Sequence, residues 1–463
     1  MLSFLTRFLP RAFAAAAFAA SVCACAATAA EDAAPADAGA ADAWPHDGSG
    51  GAPSLFAAAV APDVNASQPF IVNLRLPLED GLDDAERTAR IAALRTQLLA
   101  RLPRDEVEVT RTYALLPAVA LRAKPTWREA VAALPEVEAV QDDLRMQTNL
   151  KYAGPLVQAT DAHKLGYTGK GVRIAVIDTG VDATQPDLAG HVAAQHCFTQ
   201  GGCPPNGTSE SNFATDDEGH GTHVAGIVVS AGKVAAAGMA PGADVVAVKV
   251  LDKNGSGSDS DILAGLDWVA ANAKALNIRV INLSLGSQQS WATACDKSDP
   301  ATSGAVKLLG QKGVTVFAAA GNEGVKNGLG NPACLGQVHA VGAVYTRDLT
   351  SANYPGLCAD KTPKAGTMTC FSNRGKNLHL VAPGAPIVSV GMGGGTATMS
   401  GTSQATPVAV GVAALVLACK PSLTSAAVAK LLQDTGKPVT DPVSGLSFRL
   451  VQAAQALKAA CGK

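Results

Sequence analysis

Two histidines stand three residues apart in the stretch DDEGHGTHVAGI, which runs from Asp216 to Ile227. Histidines at this spacing can hold a metal ion, cap a helix, or combine one catalytic base with one structural neighbour. The stretch alone does not separate His220 from His223. Their task depends on which other polar side chains the fold brings to them.

Two further polar residues adjoin apolar segments. Asp178 ends the run RIAVID, and a carboxylate that closes a buried strand needs a partner to offset its desolvation. Ser403 precedes a long apolar segment in SGTSQATPVAVGVAALVLA. A hydroxyl at a helix start is ordinarily an N-cap. Together with His220, however, these two residues would supply the nucleophile, base and orienting acid of acyl transfer.

The elements that must position these residues belong to a predicted α/β domain. After Lys151, short and fully apolar runs alternate with helical patterns, which is typical of parallel strands buried on both faces. The runs are RIAVID, DVVAVKVL, RVINLSL, VTVFAAAG and VHAVGAV. We therefore predict a doubly wound, mostly parallel sheet over residues 150–463, with a site at the carboxyl ends of its strands.

A smaller domain is predicted before this sheet. Between residues 68 and 149 the pattern reads strand, helix, strand, strand, helix, strand, and it begins with FIVNLRL, whose alternate residues are apolar. That order is the split βαβ arrangement of a small α+β, ferredoxin-like domain.

The first 67 residues predict export followed by a linker. Residues 1–30 carry Arg7 and Arg11 before an uncharged, Ala-rich run, which indicates a secretory signal peptide and no stable membrane span. Cys25 offers an alternative, a lipid anchor. Residues 31–67 lack apolar periodicity and are interpreted as a flexible linker. We expect a secreted, extracellular protein.

Charge and cysteine content narrow the range of partners. Only 16 % of the 463 residues are charged, the net charge is −2, and no block of like charge occurs, which disfavours nucleic acid as a partner. Eight of the ten cysteines lie outside the predicted signal peptide, and an even number in an exported protein favours disulfides. Sequence proximity predicts the pairs Cys197–Cys203, Cys295–Cys334, Cys358–Cys370 and Cys419–Cys461.

Seven motifs in order give the chain a resemblance to the subtilisin family of serine proteases. They are DTGVDATQPDL, GHGTHVAGI, GMAPGADVVAVKVL, INLSLG, AAAGNEG, VAPG and GTSQATP, and they span essentially all of residues 170–455. The resemblance implies that Ser403 is the nucleophile, that His220 is the general base and then acid, and that Asp178 orients the imidazole. It also implies that Asn322 and the backbone N–H of Ser403 form the oxyanion hole. His223 is then interpreted as a packing residue.

In this family the substrate binds as an added strand between two segments of the enzyme. The residues that match these segments and the wall of the primary pocket are Gly255, Ser256, Gly257, Ser284, Leu285, Gly286, Ala319, Ala320 and Gly321. The resemblance thus implies a secreted serine endopeptidase for protein or peptide substrates, with apolar side chains as the expected guests of the pocket.

The predicted ferredoxin-like domain also fits the family, whose members are made with a propeptide of that shape. By position, residues 68–149 would be an intramolecular inhibitor and folding chaperone of a self-processing zymogen, and self-cleavage is expected near Asn149 or Leu150. We expect a monomer.

No cofactor is expected for catalysis, and no metal ligand is assigned. The loop SAGKVAAAG lacks the Asn-containing turn that holds calcium in many subtilisins, although Asp187 matches one familiar ligand position. A structural calcium ion therefore has no identified site.

Three other functions compete with this interpretation. A catalytically inactive, subtilisin-like binding protein is disfavoured because all four catalytic positions are filled. A nucleotide-binding enzyme is disfavoured because neither GxGxxG nor GxxxxGK[ST] opens a helix after a strand. A zinc hydrolase could use His220 and His223, but the motif HExxH is missing.

Overall fold

The computed structural model describes residues 67–77, 81–143, 145–148 and 156–462. The predicted signal peptide with Cys25, nearly all of the predicted linker, and the expected cleavage positions Asn149 and Leu150 lie outside the described residues.

An antiparallel sheet with two helices forms the N-terminal domain. Its elements are β1 (Gln68–Leu74), α1 (Asp84–Leu99), β2 (Val107–Thr112), β3 (Ala118–Ala123), α2 (Pro125–Ala132) and β4 (Val137–Asp142). A further strand, β5 (Arg145–Thr148), follows them in the chain. The strands lie in the order β2-β3-β1-β4 and pair antiparallel. This is the predicted ferredoxin-like arrangement.

Both faces of the small sheet are buried. Side chains along a strand alternate between the two faces, so successive residues of β1 belong to different cores. Phe70 and Val72 of β1 pack on one face with Leu98 of α1. Ile71, which lies between them, belongs instead to the core of the larger domain. The small sheet is therefore covered by its own helices on one face and by α/β domain residues on the other.

The larger domain contains the remaining elements. In chain order they are α3 (Ala159–Lys164), β6 (Arg173–Asp178), β7 (Val192–Cys197), α4 (His220–Val229), β8 (Asp244–Lys249), β9 (Ser256–Ser258), α5 (Asp259–Asn272), β10 (Ile278–Leu283), β11 (Leu285–Gly286), β12 (Ser290–Trp291), α6 (Pro300–Gln311), β13 (Thr315–Ala319), β14 (Leu329–Gly330), β15 (His339–Tyr345), β16 (Ser351–Tyr354), β17 (Cys358–Lys361), β18 (Leu380–Ala385), β19 (Ile387–Val390), β20 (Thr396–Met399), α7 (Thr402–Cys419), α8 (Ser425–Thr435), β21 (Lys437–Thr440), β22 (Ser447–Leu450) and α9 (Ala453–Cys461).

The main sheet confirms the predicted doubly wound, mostly parallel topology. Among the described residues its strand order is β21-β22-β18-β15-β13-β10-β6-β8-β7, and neighbours are parallel except β21 with β22. The five strands expected from apolar runs are β6, β8, β10, β13 and β15. The sheet also contains strands that the apolar runs did not reveal, because β7 is a partly exposed edge strand and β18 is interrupted by Pro383 and Gly384.

The order in which the chain adds strands to the sheet reverses around β6. The chain adds β8 and β7 on one side of β6 and then β10, β13, β15 and β18 on the other. The carboxyl end of β6 is therefore a topological switch point, where open α/β sheets place their ligand sites.

Helix α7 passes through the core of the larger domain. It is long and apolar enough to cross a membrane by length and composition, but 89 % of it is buried inside the protein. It packs against β18, β15, β10 and α4. Its hydrophobicity is therefore explained by the core, and its first turn lies at the strand ends.

Four disulfides link the cysteines at the predicted partners. They are Cys197–Cys203, Cys295–Cys334, Cys358–Cys370 and Cys419–Cys461. The last of them joins the end of α7 to the end of α9.

Candidate active site

A carboxylate and an imidazole meet at the carboxyl end of β6. Asp178 is the last residue of β6, His220 is the first residue of α4, and both are fully buried. Asp178 Oδ1 lies 2.7 Å from His220 Nδ1 and also accepts a hydrogen bond of 2.7 Å from the N–H of Thr179. The predicted partner of the buried Asp178 carboxylate is therefore present.

The close approach of α4 to β6 depends on Gly221. A Cβ atom at this position would overlap the carbonyl oxygen of Gly180 and lie 3.2 Å from the Cβ of Asp178. A side chain here would therefore push the first turn of α4 away from β6 and separate His220 from Asp178.

Asp216 fixes the same turn, and the sequence analysis missed it. Its Oδ1 accepts hydrogen bonds from Thr179 Oγ1 and Gly219 N, both at 2.9 Å, and its Oδ2 accepts from Thr222 N at 2.9 Å. Thr179 Oγ1 in turn accepts from Gly221 N. The acidic run before His220 was the available signal, but only the fold shows that Asp216 joins α4 to the end of β6.

The surroundings of His220 favour its protonated form. Burial by itself lowers the pKa of the imidazole, but the charge and hydrogen bond of Asp178, together with Glu218 and Asp216, raise that pKa above its usual value. The imidazole can therefore accept a proton and keep it while a neighbouring group reacts.

His223 has a different environment. Burial, and then the nearby charge of His220, lower the pKa of its imidazole to about 3. Its Nε2 lies 3.2 Å from the carbonyl oxygen of Ala397. His223 is therefore neutral at physiological pH and ties α4 to β20, as expected of a packing residue.

Ser403 lies in the first turn of α7 and is fully buried. Ser284 donates a hydrogen bond of 2.6 Å to the carbonyl oxygen of Ser403 and so holds this turn against the end of β10. Thr402 donates from its backbone N–H and its hydroxyl to Asn322 Oδ1, at 2.8 and 2.9 Å. Because Oδ1 is engaged there, the Nδ2 group of Asn322 remains for another acceptor.

The four residues predicted to act in catalysis each have one buried polar side-chain atom with no hydrogen-bond partner among the described residues. The atoms are Asp178 Oδ2, His220 Nε2, Asn322 Nδ2 and Ser403 Oγ. Buried polar groups are ordinarily paired, so each exception needs an explanation. Here α4 packs against α7 and the strands β6, β10 and β13 are neighbours, which brings all four residues to one edge of the sheet. The arrangement provides a hydroxyl, a base and an N–H donor for a reacting molecule.

Two short strands form a slot beside this edge. The backbone of β5 pairs antiparallel with β9 on one side and with β11 on the other, so that Gln147 lies opposite both Ser256 and Gly286. Gly257 in β9 has no room for a side chain, because a Cβ atom would overlap the carbonyl oxygen of Val250. The segments predicted to bind an extended peptide therefore hold one that belongs to the chain itself.

The predicted pocket wall follows at the end of β13. Ala319, Ala320 and Gly321 are buried there. A polar pair that the sequence analysis missed adjoins Gly321, since Asn373 donates a hydrogen bond of 2.6 Å to the Glu323 carboxylate. Asn373 is distant in the sequence, so no local pattern indicated it.

Asp187 does not fit a calcium site. Its carboxylate accepts hydrogen bonds from the backbone N–H groups of Lys233, Val234 and Ala235 and from the hydroxyl of Ser230. Calcium requires six to eight oxygen ligands, whereas these neighbours present donors. Among the residues that the structure describes, no group of three or more His, Cys, Asp or Glu side chains could hold a metal ion.

Known proteins resemble this chain over most of its length. The model of the family described as "Subtilase family" matches residues 169–451. M-protease of Shouchella clausii is 34 % identical over 334 residues, which are 71 % of this chain and 77 % of that protein. Subtilisin E of Bacillus subtilis is 35 % identical over 312 residues, 65 % of this chain and 70 % of that protein. Subtilisin of Bacillus pumilus is 36 % identical over 295 residues, 62 % and 91 % of the two chains.

Proposed function

The chain belongs to the subtilase family and is a subtilisin-like serine endopeptidase, and we propose that Ser403, His220 and Asp178 carry its reaction. The observation that carries this proposal is the buried pair of Asp178 and His220 at 2.7 Å, with His220 Nε2 and Ser403 Oγ both unpartnered among the described residues.

In the proposed reaction Ser403 Oγ attacks the carbonyl carbon of the peptide bond while His220 Nε2 takes the hydroxyl proton. Asp178 Oδ1 accepts a hydrogen bond from His220 Nδ1–H and stabilises the imidazolium. His220 then gives the proton to the leaving amine, which leaves an acyl group on Ser403. A water molecule, deprotonated by His220, releases the acyl group and restores the hydroxyl.

The negative oxygen of the tetrahedral intermediate would be bound by two N–H donors. One is Asn322 Nδ2. The other is the backbone N–H of Ser403, which is the second residue of α7 and so has no acceptor within the helix.

Replacing Asn322 by alanine should lower kcat about 10²- to 10³-fold with little change in KM, the effect of removing the oxyanion-hole Asn of subtilisin, a member of the same family. Steady-state kinetics on a peptide anilide would measure both constants. Thr402→Val is the matched control, because it removes the hydroxyl that donates to Asn322 Oδ1 and accepts from Gly321 N, and leaves the Nδ2 donor in place. Equal losses in the two variants would contradict the oxyanion role.

A casein digest tests the reaction class. The processed protein should cleave casein, and a serine-directed sulfonyl fluoride should stop cleavage whereas a metal chelator should not. Absence of cleavage would favour the alternative, a catalytically inactive binding protein. Cleavage that resists the sulfonyl fluoride but not the chelator would favour a metal-dependent hydrolase.

The N-terminal domain is proposed to be a propeptide that inhibits the enzyme. Its support is β5, whose backbone fills the slot between β9 and β11 as an extended substrate would. Self-cleavage near Asn149 or Leu150 would follow directly after β5. N-terminal sequencing of the active form should find a start in this region, and a start upstream of Val140 would exclude the propeptide role.

Export is proposed as well, through the signal peptide of residues 1–30. The four disulfides support it, since such bonds persist in oxidising compartments. We expect the protein to be recovered outside the cell without these residues. Light scattering should show that it is a monomer.

Buried carboxylates hold the N-terminal domain against α5. Asp261 forms an ion pair with Arg111 of β2, and both side chains are buried. Asp267 accepts hydrogen bonds from the backbone N–H groups of Ala114 and Leu115, at 2.8 and 3.0 Å. Burial raises the pKa of both carboxyl groups, although the Arg111 guanidinium opposes this effect at Asp261. The net direction means that the contact is less favourable when the two groups are ionised.

Asp143 adds to this contact from the N-terminal side. It accepts a hydrogen bond of 2.7 Å from the N–H of Ser260, and burial raises its pKa to about 6. After separation of the domains, water would solvate the carboxylate and restore an ordinary pKa near 4. The bound state therefore binds more protons, and its stability is fully present below about pH 4 and is lost as the pH rises through about 6.

We therefore expect titration of Asp143 to make release of the cleaved N-terminal domain about 50-fold more favourable at pH 7.5 than at pH 4, since about two pKa units separate the two states and the free carboxyl is already half ionised at pH 4. Size-exclusion chromatography of the processed complex at both pH values measures the release. Asp143→Asn should reduce the difference between the two pH values without abolishing it, because Asp261 and Asp267 still titrate, whereas the control Asp142→Asn, at the exposed neighbouring residue, should behave as the parent. Unchanged release in Asp143→Asn would contradict this assignment.

A further inference from the structure

Lys249 is a fully buried lysine that the proposed reaction does not use. It is the last residue of β8 and pairs in register with Asp178, the last residue of β6. An ammonium group has three donors, and each of them is used. They bind the carbonyl oxygen of Thr179 at 2.7 Å, the carbonyl oxygen of Leu251 at 2.8 Å and Asp217 Oδ1 at 2.6 Å.

The three acceptors lie in three different parts of the site. Thr179 follows Asp178, and Asp217 precedes His220 by three residues in the chain. Leu251 leads out of β8 towards β9. A single buried cation thus joins the segment that carries the acid, the segment that carries the base and the segment that leads to one wall of the substrate slot.

The link from Leu251 to the wall is short. The next residue, Asp252, donates from its backbone N–H to the carbonyl oxygen of Ser256 at 2.7 Å. Its side chain accepts from the N–H of Ser256 at 3.0 Å. A change in the position of Leu251 is therefore passed through this turn to β9, which begins at Ser256.

We propose that Lys249 is a positioning residue that holds the substrate-binding strand β9 in place relative to Asp178 and His220. The proposal rests on the proposed function, because it assigns a role only if β9 binds substrate and these residues act on it. Burial of an ammonium group is costly unless it is paired and fully hydrogen-bonded. A role in stability alone would not require that its acceptors come from these three segments.

The role predicts a dependence on substrate length. A tetrapeptide anilide contacts β9, whereas an ester of a single N-acetylated amino acid reacts at Ser403 without reaching along that strand. In Lys249→Met, kcat/KM per titrated active site should fall for both substrates, and about tenfold more for the tetrapeptide, as expected for the loss of one charge-assisted hydrogen bond. A variant that is only less stable would contain fewer active sites but keep the ratio of the two substrates.

The control is Lys253→Met, which removes a lysine from the exposed turn before β9 and should leave the ratio unchanged. If Lys249→Met does not fold, Asp217→Asn is the alternative variant. It weakens the ion pair with Lys249 by changing Asp217, whose side chain is partly exposed. It should shift the ratio in the same direction and by less. An unchanged ratio in a folded Lys249→Met, or in Asp217→Asn, would overturn the proposal, whereas a parent protein that cleaves neither substrate would refute the proposed function.

Discussion

Replacing Ser403 by alanine should lower kcat about 10⁶-fold and leave the chain at its unprocessed length. The expected size of the loss is that of removing the nucleophile of subtilisin, a member of the same family. The residual rate would come from the oxyanion donors and from substrate binding, which the substitution leaves in place. Active-site titration, kcat on a peptide anilide and the mass of the purified chain would measure the effect.

The same substitution should change stability very little. Ser403 Oγ is buried and has no hydrogen-bond partner among the described residues, so alanine removes no hydrogen bond to them and leaves no partner there unsatisfied. The thermal midpoint should therefore stay close to that of the parent. Ser447→Ala, at an exposed serine of β22, is the control and should retain full activity. A Ser403→Ala chain that still processes itself would exclude this nucleophile.

Replacing Asp178 by asparagine should lower kcat about 10⁴-fold, as in other Ser-His-Asp enzymes. The amide is of nearly the same size as the carboxylate, so the fold should persist. It lacks the negative charge that, in the proposed reaction, stabilises the imidazolium of His220 during proton transfer, at a buried position where charge interactions are strong.

The pH dependence separates this role from a structural one. In the parent, Asp178 raises the pKa of His220 against the opposing effect of burial. Activity should therefore fall as the pH drops through a value above the usual 6.5 of an imidazole. In Asp178→Asn this fall in activity, the acidic limb of the pH profile, should move to lower pH. The reason is that the carboxylate no longer opposes the lowering of the His220 pKa by burial.

Measurement of kcat/KM between pH 5 and 9 would show this displacement. Asp434→Asn, which removes an exposed carboxylate of α8, is the control and should keep both the rate and the limb of the parent. A limb that stays in place in Asp178→Asn would show that another group raises the pKa of His220.

The secondary structure followed largely from local patterns. The apolar runs that became β6, β8, β10, β13 and β15 are buried on both faces, so hydrophobicity alone marked them. Local patterns failed where a strand lies at the edge, as β7 does, or contains proline and glycine, as β18 does. There the pairing of strands decides the structure, and the propensity of the segment does not.

The family motifs predicted the central residues of the site, including the contact between Asp178 and His220, but not the residues that support them. Spacing alone does not separate two histidines three residues apart, and only the family motif marked His220. The fold gives His220 the carboxylate of Asp178 and gives His223 the carbonyl oxygen of Ala397. Asp216, Lys249 and Asn373 carried no sequence signal of comparable strength. Their partners lie on other strands or loops, and a hydrogen bond between distant segments leaves no periodicity in the chain.

The sequence by itself determined which segments are buried strands and helices, the order of the N-terminal elements, and the polar residues that end or follow the strands. These features depend on hydrophobic periodicity and local backbone preferences. Only the tertiary structure decided which polar groups share an edge, which of them remain unpartnered, and how Lys249 joins three segments. Those properties depend on strand order and register, because the carboxyl ends of neighbouring parallel strands meet only after the sheet has formed.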